Sequence, residues 1–163
     1  MRKAMIGNIS VSRLCIGGNP FSGFSHQNAQ RDQEMVRYYT VDRIKETLRK
    51  AEAAGIHTVI ARSDNHIKRL LWEYWDEGGT IQWIAQTASE LGDQLRAIRD
   101  AATAGAKGVY VHGGIVDFWF VQGQTDMLAA AKRSARPWST SRQSTPPRGP
   151  CRWCSGQAGP GYC

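Results

Sequence analysis

Apolar residues along the chain follow two alternating rhythms. Short runs, Thr58-Val59-Ile60-Ala61, Ile81-Gln82-Trp83-Ile84-Ala85 and Val109-Tyr110-Val111, carry β-branched and aromatic side chains and predict strands. Between them apolar positions return every three or four residues, the spacing of one-faced helices. Residues 9–18 predict a first strand in which Leu14-Cys15-Ile16 is buried and Gly17-Gly18-Asn19-Pro20 makes the break. Phe21 to Tyr39, polar and aromatic and holding His26, reads as a loop, long enough to suggest a functional role.

Thr40 is the expected cap of a first helix, with Val41, Ile44, Leu48 and Ala51 inward and Gly55 as its stop. Asp64 or Asn65 caps a second, with Ile67, Leu70, Leu71, Tyr74 and Trp75 inward until Gly78-Gly79. Ser89 opens a third, with Leu91, Leu95, Ile98 and Ala102 inward and Gly105 closing it. An aromatic loop, Ile115 to Gln124, then precedes a fourth helix at Thr125-Asp126-Met127-Leu128.

Ala51-Glu52-Ala53-Ala54-Gly55, before the second strand, is echoed 50 residues later by Ala101-Ala102-Thr103-Ala104-Gly105, before the fourth. Strands and helices alternating at that interval predict an α/β fold of parallel βαβ units. A doubly wound nucleotide-binding sheet would carry G-x-G-x-x-G after its first strand, whereas Gly17-Gly18-Asn19-Pro20 opens no helix at once. A (β/α)8 TIM barrel needs eight units and roughly 250 residues. With about four units complete by residue 131, the expected fold is the N-terminal half of such a barrel, one domain over residues 1–132.

Residues 133–163 differ in kind. After Leu128 there is no Leu, Ile, Val, Met or Phe, and 25 of the 30 residues from Ser134 onward are Arg, Pro, Gly, Ala, Ser, Trp or Cys. Such a segment cannot offset its ordering entropy by apolar burial and is expected to be disordered. Those residue types are also what GC-rich codons yield in a shifted frame, so the segment reads as a frameshifted, non-native tail, or else as a natural Pro/Arg-rich linker.

Charge follows the same division. Six of the 21 Lys and Arg lie between Lys132 and Cys163 with no acid among them, leaving 15 bases against 14 acids in the body of the net +7 chain. A nucleic-acid surface belongs on the folded part, so no nucleic-acid partner is expected. Cys151-x-x-Cys154 has zinc-like spacing, but one further cysteine and no nearby histidine do not complete a tetrahedral site. No apolar run approaches the roughly 18 residues that cross a bilayer, and no apolar segment follows Arg2-Lys3, so a cytoplasmic location without membrane contact is the expectation.

Polar residues collect at the predicted C-terminal strand ends: Asn19, Arg62, Asp64, His66, Gln86, His112 and Asp117. In a TIM barrel that face carries the active site. Arg62, Asp64, His66 and His112 are the candidate catalytic residues. His112, Asp64 and His66 include the ligand types of a divalent-metal site, or a base and its orienter for proton abstraction beside a carbonyl, as in a metal-dependent sugar isomerase or lyase. Each has a plainer reading. Asp64 is equally an N-cap, His66 a solvated first-turn residue, His112 a backbone-bonded histidine, and Arg62 the partner of a rim carboxylate. Trp72, Trp75, Trp83 and Trp119 read as packing, and Phe118-Trp119-Phe120 as packing or a lid.

Arg13-Leu14-Cys15-Ile16-Gly17-Gly18-Asn19-Pro20-Phe21, Ser63-Asp64-Asn65-His66-Ile67 and Val111-His112-Gly113-Gly114 resemble the aldo/keto reductase superfamily, and within it an uncharacterised group of TIM barrels, over about residues 6–132. The resemblance implies a parent enzyme acting on a small carbonyl or sugar-like molecule, with NADP as a possible cofactor. It also implies an Asp ending the second strand, a Tyr five residues later, a Lys ending the third and a His ending the fourth. Here the Asp position is Ile60, the Tyr position Asn65, and the Lys position falls near Gln86-Thr87; His112 alone matches. The expectation is a truncated, inactive chain whose exposed strand edges favour self-association.

Overall fold

The chain reverses within its first dozen residues. A computed structural model describes residues 2–135; the expected disorder and shifted frame of residues 136–163 lie outside the described residues. Strand β1 (Lys3–Ile6) pairs antiparallel with β2 (Ile9–Ser12), Ile6 opposite Ile9. Gly7 turns the corner at φ +60°, the left-handed backbone that a two-residue hairpin loop needs at its first position. This hairpin replaces most of the single strand expected over residues 9–18. The remainder is the two-residue β3 (Ile16–Gly17), and Leu14 and Cys15 are exposed rather than buried.

The expected loop of residues 21–39 is mostly helical: α1 (Asn19–Ser22) and α2 (Ala29–Tyr38). No residue of α2 is buried, so it shows no apolar periodicity to read. It is held locally, by Asn28 accepting the Arg31 N–H at 2.8 Å and by Gln30 and Arg31 reaching Glu34. Asp32 anchors the segment before it by accepting the Ser25 N–H at 2.6 Å, and the Ser25 hydroxyl together with this N–H holds its carboxyl below the ordinary range.

From Thr40 onward, strands and helices alternate as expected: α3 (Val41–Ala53), β4 (Thr58–Arg62), α4 (Asn65–Asp76), β5 (Gln82–Gln86), α5 (Gln94–Thr103) and β6 (Gly108–Tyr110). Thr40 and Asp64 are caps, and the echoed Gly55 and Gly105 both take positive φ, +80° and +105°. Helix α5 starts later than Ser89, because Asp93 Oδ1 takes the Arg96 N–H at 2.9 Å; Leu91 is left exposed in the turn before it. The aromatic stretch expected as a loop is helix α6 (Gly113–Val121), capped by His112. The last described helix, α7 (Thr125–Ala135), runs three residues past the expected boundary at 132.

The four strands β3-β4-β5-β6 form one parallel sheet in sequence order, with Val59 opposite Trp83 and Gln86 opposite Tyr110. Alternate residues face opposite sides. Val59, Ala61, Trp83 and Ala85 pack with Ile44 and Leu48 of α3, Leu70 and Tyr74 of α4 and Ala101 of α5. Helices α5, α6 and α7 meet in a second cluster around Ile98, Trp119 and Ala131. Glu52 ties α3 to the following turn by accepting from the Tyr74 hydroxyl (2.8 Å) and the Thr80 N–H (2.7 Å). Lys45 joins α3 to α4 through Glu77 (2.5 Å) and Glu73 (3.0 Å), which hold its ammonium above the ordinary lysine range and push Glu77 down.

The other sheet face is closed at one end and open at the other. At the N-terminal strand ends, Gln82 Nε2 donates to Ser10 O and to Thr58 Oγ1, both at 2.7 Å, and the Ser12 N–H reaches Thr58 Oγ1 at 3.3 Å, so the hairpin is stitched across β4 and β5. No helix among the described residues is long and apolar enough to cross a membrane.

Candidate functional site

The open end is built by the last residues of four parallel strands. Gly17 ends β3 and Gly18 follows it, Arg62 ends β4, Gln86 ends β5 and Tyr110 ends β6. These residues, with Cys15, Ile16, Asn19, Ile60 and Ala61, line a cavity of about 330 Å³. A larger cavity of about 460 Å³ lies at the hairpin end, between Ile9, Gln82, Ile98, Ala102 and Gly108. Asn8, Ser10 and Lys107 line it too, but it lies at the opposite ends of the strands, and in parallel sheets ligands bind beyond the carboxyl ends, so the smaller cavity is the candidate site.

Gly18 brings the wall of this cavity close to the sheet. Its N–H donates to Ile60 O at 2.8 Å, and a Cβ there would stand 2.6 Å from Ala61 Cβ. Helix α1 therefore begins hard against β4. Just beyond it, Asn19 Nδ2 meets His26 Nε2 at 3.1 Å, with His26 held at φ +57°.

Arg62 is the charged centre. Its side chain is only 16% exposed, and its guanidinium lies 5.1 Å from the ring centroid of Phe24. Asp64 Oδ2 stands 3.6 Å from Nε, while Glu90 contacts Nη2 from the loop before α5. Tyr110 and Gln86 add a phenol and an amide, and burial pushes the Tyr110 hydroxyl above its ordinary pKa, so it stays a proton-bearing donor at neutral pH. The Cys15 thiol donates to Ser12 O at 3.4 Å, and desolvation raises its pKa, the opposite of what activates a nucleophile.

Of the residues singled out from sequence, Asn19, Arg62 and Gln86 share this cavity and Asp64 flanks it through its ion pair with Arg62. Asp64 is also the cap of α4, with Oδ1 accepting the Ile67 N–H at 2.8 Å. The two roles use different oxygens and separate by substitution. Asp64→Asn should retain the cap and shift thermal stability by only a few tenths of a kcal/mol, whereas Asp64→Ala should lose about 1 kcal/mol. A calorimetric comparison in which both lose the same amount would deny Asp64 its cap.

His66 is exposed on the first turn of α4, and Asp117 is exposed on α6. His112, expected to end its strand, lies two residues past the end of β6 and caps α6 instead: its own N–H donates to the buried Thr87 Oγ1 at 3.1 Å, and its ring Nδ1 accepts the Gly114 N–H at 3.1 Å. That bond assigns the neutral ring's proton to Nε2. Neither histidine lines the Arg62 cavity. Among the described residues no three His, Cys, Asp or Glu side chains gather as a metal site would require.

Tyr110, Phe24 and Glu90 escaped the sequence reading. Tyr110 looked like one more apolar strand residue, yet its position level with Gln86 was the available signal. Glu90 and Phe24 sit in connections after strands, where only the general rule that such loops carry function points to them. No family model, no curated protein and no solved structure matches the chain.

Proposed function

We propose that residues 1–132 are the first four βα units of an aldo/keto-reductase-like (β/α)8 barrel, and that the parent enzyme acts on a small carbonyl or sugar-like molecule at the C-terminal strand ends. The unbroken strand order supports the barrel, because a doubly wound sheet reverses order at its ligand site while a barrel never does. The observation that carries the function is the convergence of Arg62, Gln86 and Tyr110 on one cavity of about 330 Å³. Arg62 holds the substrate's negative or carbonyl oxygen, and Gln86 and Tyr110 orient it by hydrogen bonds.

Nicotinamide chemistry does not fit the residues present. The general-acid position is Asn65, exposed at the start of α4, and the lysine position falls at Gln86 and the wholly buried Thr87. No step is therefore assigned to that cofactor. The test is an amide-resolved NMR titration of the 163-residue chain with hydroxyacetone. Shifts should cluster at Gly18, Arg62, Gln86 and Tyr110 and vanish in Arg62→Ala; shifts confined to Ile9, Gln82 and Gly108 would refute the assignment.

A second reading, self-association, is favoured by α6. Apart from Asp117 this helix is apolar, and it leaves Phe118, Phe120 and Val121 exposed at 55%, 71% and 77%. The outer edges of β3 and β6 also lack a strand neighbour among the described residues. Light scattering after gel filtration should give a discrete dimer that Phe120→Glu dissociates; a wild-type monomer at high concentration removes this reading.

A further inference from the structure

Resting on the small-carbonyl reading and deepening it, we infer that the substrate carries a carboxylate, and that Glu90 competes with that carboxylate for Arg62. Arg62 is largely buried at the cavity wall, and a desolvated guanidinium must face anionic or aromatic partners. It has three, and they differ in how firmly each is held. The guanidinium carbon lies over the ring of Phe24. Asp64 is anchored, its Oδ1 committed to the Ile67 N–H, and its Oδ2 at 3.6 Å from Nε is within ion-pair range but beyond hydrogen-bond range.

Glu90 is the partner on Nη2, the terminal edge of the fork, and it is held otherwise. Its side chain is 61% exposed, it comes from the turn before α5 rather than from a strand or helix, and it has no second ion pair among the described residues. An exposed carboxylate on a buried guanidinium is the arrangement that a ligand carboxylate reproduces and improves, because the fork binds two oxygens in plane. A neutral sugar or ketone that displaced Glu90 would leave Arg62 with Asp64 as its one anionic partner among the described residues. A carboxylate restores the lost charge, so the site selects an anionic carbonyl compound, a 2-oxo acid in size and chemistry. Gln86 and Tyr110 then face the carbonyl oxygen.

Pyruvate, hydroxyacetone and inorganic phosphate titrated calorimetrically into the full chain, its Glu90→Gln variant and its Arg62→Gln variant test this. Glu90→Gln should tighten pyruvate about fivefold, the scale of one exposed ion pair removed from competition. The ratio of pyruvate to hydroxyacetone affinity should rise by about that factor, phosphate should bind more weakly than pyruvate, and Arg62→Gln should abolish pyruvate binding. If hydroxyacetone binds but Glu90→Gln leaves the pyruvate Kd unchanged, or phosphate outcompetes pyruvate, the carboxylate inference is overturned while the small-carbonyl site survives. If neither organic probe binds any of the three proteins, both fall. Glu90 lies on the surface, and circular dichroism verifies that each variant is folded before it is titrated.

Discussion

Trp83→Ala should unfold much of the protein at ordinary temperature. Trp83 is fully buried at the centre of the sheet, the bulkiest of the wholly enclosed side chains, and its indole N–H donates to Ala61 O on the neighbouring strand at 3.0 Å. Removing a buried tryptophan costs about 3–5 kcal/mol through lost transfer energy and the cavity left behind. A domain of this size is stable by about 5–15 kcal/mol, so the loss consumes a large fraction of it. Trp83→Phe keeps most of the volume and forfeits the hydrogen bond, for about 1 kcal/mol plus a smaller packing loss. Urea unfolding followed by circular dichroism should rank the three proteins widely apart. A Trp83→Ala midpoint near that of Trp83→Phe would mean that β4 and β5 do not share the core described.

Gly18→Val is the second large effect, and it joins stability to the site. The glycine has an ordinary φ of −87°, so its backbone would accept any residue. The obstacle is space: a Cβ would lie 2.6 Å from Ala61 Cβ and 2.8 Å from Ala61 Cα, both within the central strand. Since β4 is paired on both edges, α1 must move instead, for about 1–3 kcal/mol, and Asn19 moves with it. Hydroxyacetone binding should be lost together with stability. Gly17→Ala is the control, because a Cβ there meets nothing within 4 Å. Ala61→Gly should rescue Gly18→Val only in part, since the Ala61 Cα remains in the way.

The chain was most legible where burial wrote a period into it. Ile44 and Leu48 on α3, Ile67, Leu70, Leu71 and Tyr74 on α4, and the strands carrying Val59 and Trp83 were all readable, because each buries one stripe against one sheet. Helix α2 was not, since none of its residues is buried and it is held by its cap, side-chain pairs and contact with the short α1. Helix α6 failed for the opposite reason: apolar at every position but Asp117, Ile115 to Val121 shows no stripe to detect. The Gly7-Asn8 turn between Met5-Ile6 and Ile9 was a readable hairpin signal that the stronger glycine pair at 17–18 obscured. At the site, strand ends could be located and Arg62 and Gln86 named. Their partners Phe24 and Glu90 arrive from connections of irregular length, and no periodicity predicts where those land.

The stitched hairpin also orders events in time. A nascent chain releases residues 3–12 first, yet the Gln82 amide that binds Ser10 O lies 72 residues farther along, after two complete βα units. Joining ends so far apart carries a larger closure entropy than the short crossovers between adjacent strands. The hairpin can bond Thr58 once β4 is made, but its seam to β5 must wait for α4 and β5 to follow. Completing that seam is the later step that shuts the N-terminal end of the sheet.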